Sequence, residues 1–210
     1  MRRLPVYLLI DTSGSMRGEP IEAVNTGLLS MVAALRQDPH ALETVHLAIL
    51  TFDREAKVVA ELTPLDVFNP PRLETPQSGP THLGEALSIL VERVPEDVRR
   101  RSEGEKGDWA PLLFVMTDGK PSDLQLFDQN VPKIRALGFG NIVGCAAGPK
   151  AERAALDRFC DHVAALDTLD SAGFAQFFKW VSEAISGGSR DPGAGSADLP
   201  PPPGEIKLNL

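Results

Sequence analysis

Tyr-Leu-Leu-Ile-Asp-Thr-Ser-Gly-Ser-Met, residues 7–16, joins an apolar run to a loop that carries one carboxylate and two serine hydroxyls. The run from Val6 to Ile10 is short, continuous and apolar, which predicts a central parallel strand covered on both faces. Asp11 ends that strand. Because open α/β sheets hold ligands at the carboxyl ends of their strands, the loop that begins at Asp11 is expected to form part of a ligand site.

This loop has the donor atoms of a site for a hard metal ion. Asp11, Ser13 and Ser15 alternate, so an extended loop can turn all three oxygen-bearing side chains the same way. Gly14 lets the backbone bend close to whatever they hold. Oxygen ligands, several of them neutral, suit Mg²⁺, Mn²⁺ or Ca²⁺ and do not suit zinc.

The remaining chain predicts alternating strands and helices. The strands at 44–52 and 56–62 are joined by a tight turn, so they must be antiparallel. The element order predicts an α/β fold, a doubly wound and mostly parallel central sheet with one antiparallel edge strand and helices on both faces. Further strands are predicted at 111–117, 141–147 and 162–166, and helices at 20–37, after Thr81, at 122–137, at 150–160 and from 170 or 171 to 186.

Two more segments belong with the first loop. Asp118 follows the strand at 111–117, and if that strand neighbours the first one where the strand order reverses, both carboxylates line one crevice. Thr81 opens a helix, so its hydroxyl can point at the same crevice. Taken singly, Thr81 reads as an ordinary helix cap and Asp118 as part of an ordinary Thr-Asp-Gly turn. Their order and placement at element ends favour a shared site.

The D-x-S-x-S loop, Thr81 in Ser-Gly-Pro-Thr-His-Leu and Asp118 in Thr-Asp-Gly together resemble the metal-ion-dependent adhesion site (MIDAS) of von Willebrand factor A (VWA) domains. The resemblance spans residues 4–186, and the segment at 177–182 looks like the final helix of bacterial TerY-type members from tellurite-resistance and stress operons. It implies a VWA or Rossmann-like fold. It also implies a ligand set in which the hydroxyls bind the metal directly or nearly so and the carboxylates bind directly or through water and hydrogen bonds: Asp11, Ser13, Ser15, Thr81 and Asp118.

A metal held mainly by hydroxyls and water keeps positive charge and an exchangeable coordination position. A Glu or Asp from a partner protein can complete such a shell, so the sequence predicts a non-enzymatic protein-interaction module. The TerY-type resemblance implies a kinase-like or phosphatase-like partner encoded nearby. The alternative is a metal-dependent phosphohydrolase or phosphotransferase of haloacid-dehalogenase type, with Asp11 as nucleophile. That class needs a second Asp two residues on, where this chain has Ser13.

Composition and net charge limit the other functions that the chain can have. At 210 residues and 42% hydrophobic content the chain can bury one core, expected over residues 1–186. The net charge of −8 argues against nucleic-acid or membrane-surface binding, and the absence of a long apolar stretch predicts a soluble, cytoplasmic protein. Residues 187–210 read as a Gly/Pro-rich linker and tail. The alternating pattern at 204–210 predicts either a floppy end or a strand that docks on a sheet edge, in the same chain or in self-association.

Overall fold

A seven-stranded sheet forms the centre of the molecule in a computed structural model that describes residues 2–102, 106–148, 151–190, 199–202 and 207–209. The strand order is β3-β2-β1-β4-β5-β6-β7; β3 and β7, at the two edges, are antiparallel to their neighbours, and the other pairs are parallel. The strands are β1 (Leu4–Asp11), β2 (Val45–Phe52), β3 (Ala56–Pro64), β4 (Leu112–Thr117), β5 (Asn141–Ala147), β6 (His162–Leu166) and β7 (Lys207–Asn209).

Helices cover both faces of this sheet, which confirms the predicted doubly wound architecture. α1 and α6 pack together on one face, and α3 and α4 on the other. A short 3₁₀ turn at Gly14–Met16 follows β1. The helices are α1 (Glu19–Leu35), α2 (Pro39–Thr44), α3 (Leu83–Asp97), α4 (Leu124–Ala136), α5 (Arg153–Leu156) and α6 (Ser171–Arg190).

Alternate side chains of β1 pack into two separate hydrophobic cores. Leu8 and Ile10 lie in the core beneath α1 and α6, whereas Tyr7 and Leu9 lie in the core beneath α3 and α4. All four are at most 2% exposed, as expected for a strand covered on both faces. Burying one such side chain contributes roughly 1.5–3 kcal/mol, so this strand anchors the sheet from both sides.

Two segments of the chain differ from the predicted helices. An additional short helix, α2, begins at Pro39, where Asp38 accepts a hydrogen bond from the His40 N–H at 3.0 Å. The helix predicted over 150–160 is only the single turn α5, and residue 150 lies outside the described residues. There the Cys160 N–H donates to Leu156 and the chain turns into β6.

The linker predicted from residue 187 does not begin there, because α6 continues to Arg190. The glycines in this last turn are tolerated because tertiary contacts hold it. Ser189 is 4% exposed and its hydroxyl donates to the Ser186 carbonyl. Arg190 pairs with Asp38 at 2.7 Å. Composition alone could not reveal these contacts.

The carboxyl-terminal tail docks on the sheet of the same chain. Residues 207–209 pair antiparallel with Val163–Ala165, so the edge-docking alternative holds in cis for these residues. Residues 203–206 and 210 lie outside the described residues. Upstream, the Trp180 indole donates to the Pro200 carbonyl at 2.8 Å, and Leu199 packs against the core.

Among the described residues, no helix has the length and apolar character needed to cross a lipid bilayer.

Candidate metal centre

The two candidate carboxylates meet where the strand order reverses. β1 pairs with β2 on one side and with β4 on the other, and Ile10 lies opposite Met116. Asp11 is the last residue of β1, and Asp118 directly follows β4. Because parallel neighbouring strands have their carboxyl-terminal ends on the same side of the sheet, both side chains reach one crevice, as the sequence predicts.

A chain of three oxygen-bearing side chains crosses this crevice. The Ser13 and Ser15 hydroxyl oxygens are 3.1 Å apart, and the Ser15 hydroxyl donates to Oδ1 of Asp118 at 2.9 Å. Ser13 and Asp118 are buried, at 2% and 3% exposure, whereas Ser15 is exposed. The cluster is therefore enclosed on the protein side and open toward solvent at Ser15.

Asp11 holds the first loop in shape. Its Oδ1 accepts from the Ser13 N–H at 2.8 Å, and its Oδ2 accepts from the Thr117 hydroxyl at 2.6 Å. Complete burial raises the pKa of Asp11 to about 6, because desolvation, together with the nearby Asp118, outweighs these hydrogen bonds. A cation in the crevice would offset that cost of burying a carboxylate.

Gly14 is required by a close approach between two loops. A Cβ built on Gly14 would stand 2.8 Å from the backbone Cα of Ser78, closer than real contacts allow. The neighbouring atoms are backbone and cannot rotate away. The first loop therefore packs directly against the segment that leads to Thr81.

Thr81 lies beside the Asp118–Gly119 turn. A Cβ built on Gly119 would stand 3.4 Å from the Thr81 hydroxyl oxygen, so the hydroxyl faces this turn. Thr81 is 8% exposed. All five predicted residues thus lie together at the carboxyl-terminal ends of β1 and β4, although they come from three distant segments of the chain.

Ser122 and Asp123, absent from the predicted set, fix the Thr81 segment from the loop that follows Asp118. The Thr81 N–H donates to the Ser122 hydroxyl at 2.9 Å, and this hydroxyl donates to the Thr81 carbonyl at 3.0 Å. Asp123 accepts from the N–H groups of Gly84 and Glu85, at 3.0 and 2.7 Å, and so caps α3 rather than α4. A Ser-Asp pair before a helix signals a cap, but the sequence does not say for which helix.

Asp53, which is also absent from the predicted set, connects the first loop to the start of α3 through hydrogen bonds. The Thr12 hydroxyl donates to Oδ2 of Asp53 at 2.9 Å, and the His82 N–H donates to its carbonyl at 2.8 Å. The turn after β2 therefore joins the first loop to the start of α3.

The donor set fits a hard divalent cation. Neighbouring ligands of an octahedral ion at about 2.0–2.1 Å are about 2.9 Å apart, close to the observed Ser13–Ser15 and Ser15–Asp118 spacings. Within the described part of the chain, no group of three or more His, Cys, Asp or Glu side chains is arranged to hold a metal. Hydroxyls must therefore supply much of any metal shell here.

Comparison with known proteins identifies relatives of this fold. A family model for the von Willebrand factor type A domain matches residues 6–172. An uncharacterized protein of Synechocystis is 39% identical over 126 residues, which cover 57% of this chain and 26% of that protein. The chain thus spans about a quarter of this curated relative's length.

Solved structures with this fold share little sequence with the chain. A von Willebrand factor type A protein from Catenulispora acidiphila superposes with a TM-score of 0.63 at 17% identity, covering 89% of this chain and 43% of that one. Proximal thread matrix protein 1 from mussel byssus, with a zinc-occupied MIDAS motif, gives a TM-score of 0.58 at 14% identity, covering 87% and 48%. Zinc occupies the motif in that protein, contrary to the expectation that such a ligand set does not suit zinc.

Proposed function

Because the chain belongs to the von Willebrand factor type A domain family, we propose that it is a metal-ion-dependent interaction module that binds a partner carboxylate through a divalent cation. The proposed ligands are Ser13, Ser15 and Thr81, with Asp11 and Asp118 bound directly or acting through the serines. Mg²⁺ is the proposed ion, with Mn²⁺ and Ca²⁺ as alternatives of similar ligand preference.

One observation carries this proposal: the oxygens of Ser13, Ser15 and Asp118 lie about one hydrogen bond apart, with Ser15 at the solvent boundary. Buried Ser13 and Asp118 provide a rigid inner wall, and exposed Ser15 leaves an outer side that a partner can reach. Asp11 orients the loop through the Ser13 N–H and need not contact the ion itself.

The charge of the ligand set favours an outside acid. Two carboxylates can at most balance a divalent ion, and each is already engaged in hydrogen bonds with the protein. When bound, the ion supplies an electrophilic contact point with a replaceable ligand. A Glu or Asp side chain of a partner protein is a suitable replacement for that ligand.

Partner capture with and without chelator tests the proposal. Tagged protein should retain a partner from native extract in Mg²⁺ and release it in EDTA, and Asp11→Ala or Ser13→Ala should abolish retention while the chain stays folded. Ser30→Ala, an exposed serine on α1, is the matched control and should retain the partner. Equal capture in EDTA, or by the Ser13 variant, contradicts the proposal.

The TerY-type resemblance extends the proposal to a cytoplasmic tellurite or stress response with a kinase-like or phosphatase-like partner encoded nearby. The residues behind that resemblance, including Phe177, Phe178 and Trp180 of α6, are buried in the core. Because these residues pack in the core, they support a shared fold with TerY-type proteins. The identity of the partner rests on analogy with those proteins.

We propose no catalytic turnover. Asp11 has no exposed surface, and both of its oxygens accept hydrogen bonds, so it is poorly placed to attack a phosphate. Ser13 occupies the position where a haloacid-dehalogenase-like enzyme needs its acid–base Asp. An assay with para-nitrophenyl phosphate and Mg²⁺ should show no release above a Ser13→Ala control; release that depends on Asp11 contradicts this part of the proposal.

A further inference from the structure

A cavity of about 340 Å³ opens at the amino-terminal ends of β1 and β4, opposite the end of these strands that carries the candidate metal centre. It lies between the carboxyl-terminal ends of α3 and α4 and the segment that enters β4. Its walls combine apolar side chains, including Val98 and Leu137, with a rim of arginines. The volume is within the range of about 300–1,000 Å³ that is usual for small-molecule sites.

The lining carries strong positive charge in a chain of net charge −8. Four arginines line it: Arg2, Arg99, Arg100 and Arg101. Among the described residues of the lining, Asp108 is the one acidic side chain. Its carboxylate accepts from Arg3, which lies outside the lining, at 3.0 Å, and from the Arg99 N–H at 2.8 Å. Within the part of the wall that the structure describes, a single carboxylate therefore faces four guanidiniums, and that carboxylate is already shared with Arg3.

Arg2 is held in place before any ligand arrives. Its Nε donates to the Gly107 carbonyl at 2.7 Å, a terminal nitrogen donates to the Asp108 carbonyl at 2.9 Å, and the guanidinium lies 5.7 Å from the centre of the Trp109 ring. A guanidinium fixed in this way loses little conformational freedom on binding an anion. One edge of its planar fork is used, and the other remains for an external acceptor.

Arg100 and Arg101 are exposed, and among the described residues neither side chain has an acidic or carbonyl partner. Cations after a helix end are ordinary, since they interact favourably with the helix dipole. That explanation fails for Arg2, which precedes β1 and reaches the same cavity from another element. Convergence from separate segments distinguishes a binding site from a solvated helix end.

We propose that this cavity binds a small phosphate-bearing molecule, with the phosphate on the arginine rim and the organic part against Val98 and Leu137. Guanidiniums bind phosphate through paired hydrogen bonds, which suits a rim with several of them. The site is independent of the metal centre because the two lie at opposite ends of β1 and β4.

Calorimetric titration in EDTA tests the site without any divalent cation. The probes are adenosine monophosphate, inorganic phosphate and adenosine. We expect the nucleotide to bind at least as tightly as inorganic phosphate and adenosine not to bind. The double variant Arg100→Gln/Arg101→Gln should bind the nucleotide about tenfold more weakly or worse. Quenching of Trp109, which lines the cavity, locates the binding; Trp180 is fully buried elsewhere.

Two controls separate charge at this site from charge in general. Arg100→Lys/Arg101→Lys keeps the charge and should restore most of the affinity. Arg17→Gln/Arg54→Gln removes two exposed arginines near the opposite end of the sheet and should change nothing. Adenosine binding as tightly as the nucleotide, equal nucleotide affinity in the Gln double variant, or no binding of any phosphate at millimolar concentration overturns the proposal.

Discussion

The Ser122 hydroxyl bridges the backbone of Thr81, accepting from its N–H at 2.9 Å and donating to its carbonyl at 3.0 Å. The loop that supplies Asp118 therefore also sets the position of Thr81. Side chains that orient ligands commonly change metal affinity by about 10–100-fold when they are removed. Ser122 is thus a positioning residue for the proposed metal centre.

Ser122→Ala should weaken Mn²⁺ binding roughly tenfold because the Thr81 segment loses its bridge. Mn²⁺ titration by electron paramagnetic resonance measures this directly. Thr81→Ala should cause a similar loss, and the double variant should lose less than the sum of both, since the two residues act on one ligand. Strict additivity would contradict this assignment, and Ser30→Ala should bind normally.

Asp123→Ala should lower the free energy of unfolding by about 0.5–2 kcal/mol, because the first N–H groups of α3 lose their acceptor. Urea denaturation in EDTA measures this without any metal contribution. Asp128→Ala, in α4 five residues after Asp123, is the control, since its ion pair with Arg158 is exposed and should contribute at most about 1 kcal/mol. Equal effects of the two variants would argue against the cap.

Gly14→Ala should disrupt the first loop, because the added Cβ meets the Ser78 backbone at 2.8 Å. We expect weaker metal binding and a lower melting temperature. Gly187→Ala is the matched control: it lies in α6 with nothing within 4 Å of an added Cβ, so it should stabilise the protein by roughly 0.5–1 kcal/mol. Normal metal binding by Gly14→Ala would show that the loops can separate.

Divalent metal should raise the melting temperature of the wild-type protein. A ligand at about 100 times its dissociation constant stabilises the native state by about 2.7 kcal/mol, and each kcal/mol is worth about 2–4 °C for a chain of this size. Scanning calorimetry with Mg²⁺ or Mn²⁺ against EDTA checks this. Ser13→Ala should lose the metal-dependent shift while unfolding cooperatively, and a shift of unchanged size in that variant contradicts the ligand assignment.

Acid should remove a stabilising contribution from Asp108. Burial alone would raise the pKa of Asp108, but hydrogen bonds from Arg3 and the Arg99 N–H outweigh it and hold that pKa below its usual range. Its contribution is therefore complete above roughly pH 4 and is lost as the pH falls toward the lower native value. Asp108→Asn should cost about 1–3 kcal/mol at neutral pH, with the difference from wild type shrinking in acid.

Urea titrations from pH 7 to pH 3 measure that difference. Glu92→Gln on α3 serves as a control, since this side chain is exposed and should show little change in stability at either pH. A constant difference between wild type and Asp108→Asn across the range would contradict the assignment. The Asp108 effect should not depend on metal, because Asp108 lies at the other end of the sheet.

Local patterning predicted most elements but not their ends. The uniform apolar run of β1 and the even spacing of apolar residues in α1 are visible to any periodicity argument. The last turn of α6 was missed because Gly187 and Gly188 look like linker residues. Burial of Ser189 and the Arg190–Asp38 pair, which join distant parts of the chain, hold that turn.

The candidate ligands were predictable because each lies at an element boundary that the sequence marks. Their support was not predictable in the same way. Asp123 precedes α4 but caps α3, which begins 41 residues before α4, and Asp53 joins loops from different strands. These residues have ordinary types in ordinary turns, so nothing local distinguishes them.

The sequence by itself determined the alternation of strands and helices and the types of atom at the strand ends, because both follow from interactions between residues close along the chain. Only the tertiary structure decided that β1 and β4 are neighbours, that Ser15 meets Asp118, and that four arginines share one cavity. Those contacts join residues separated by up to about 100 positions. Packing of the whole sheet between its helices, rather than any local preference, fixes them.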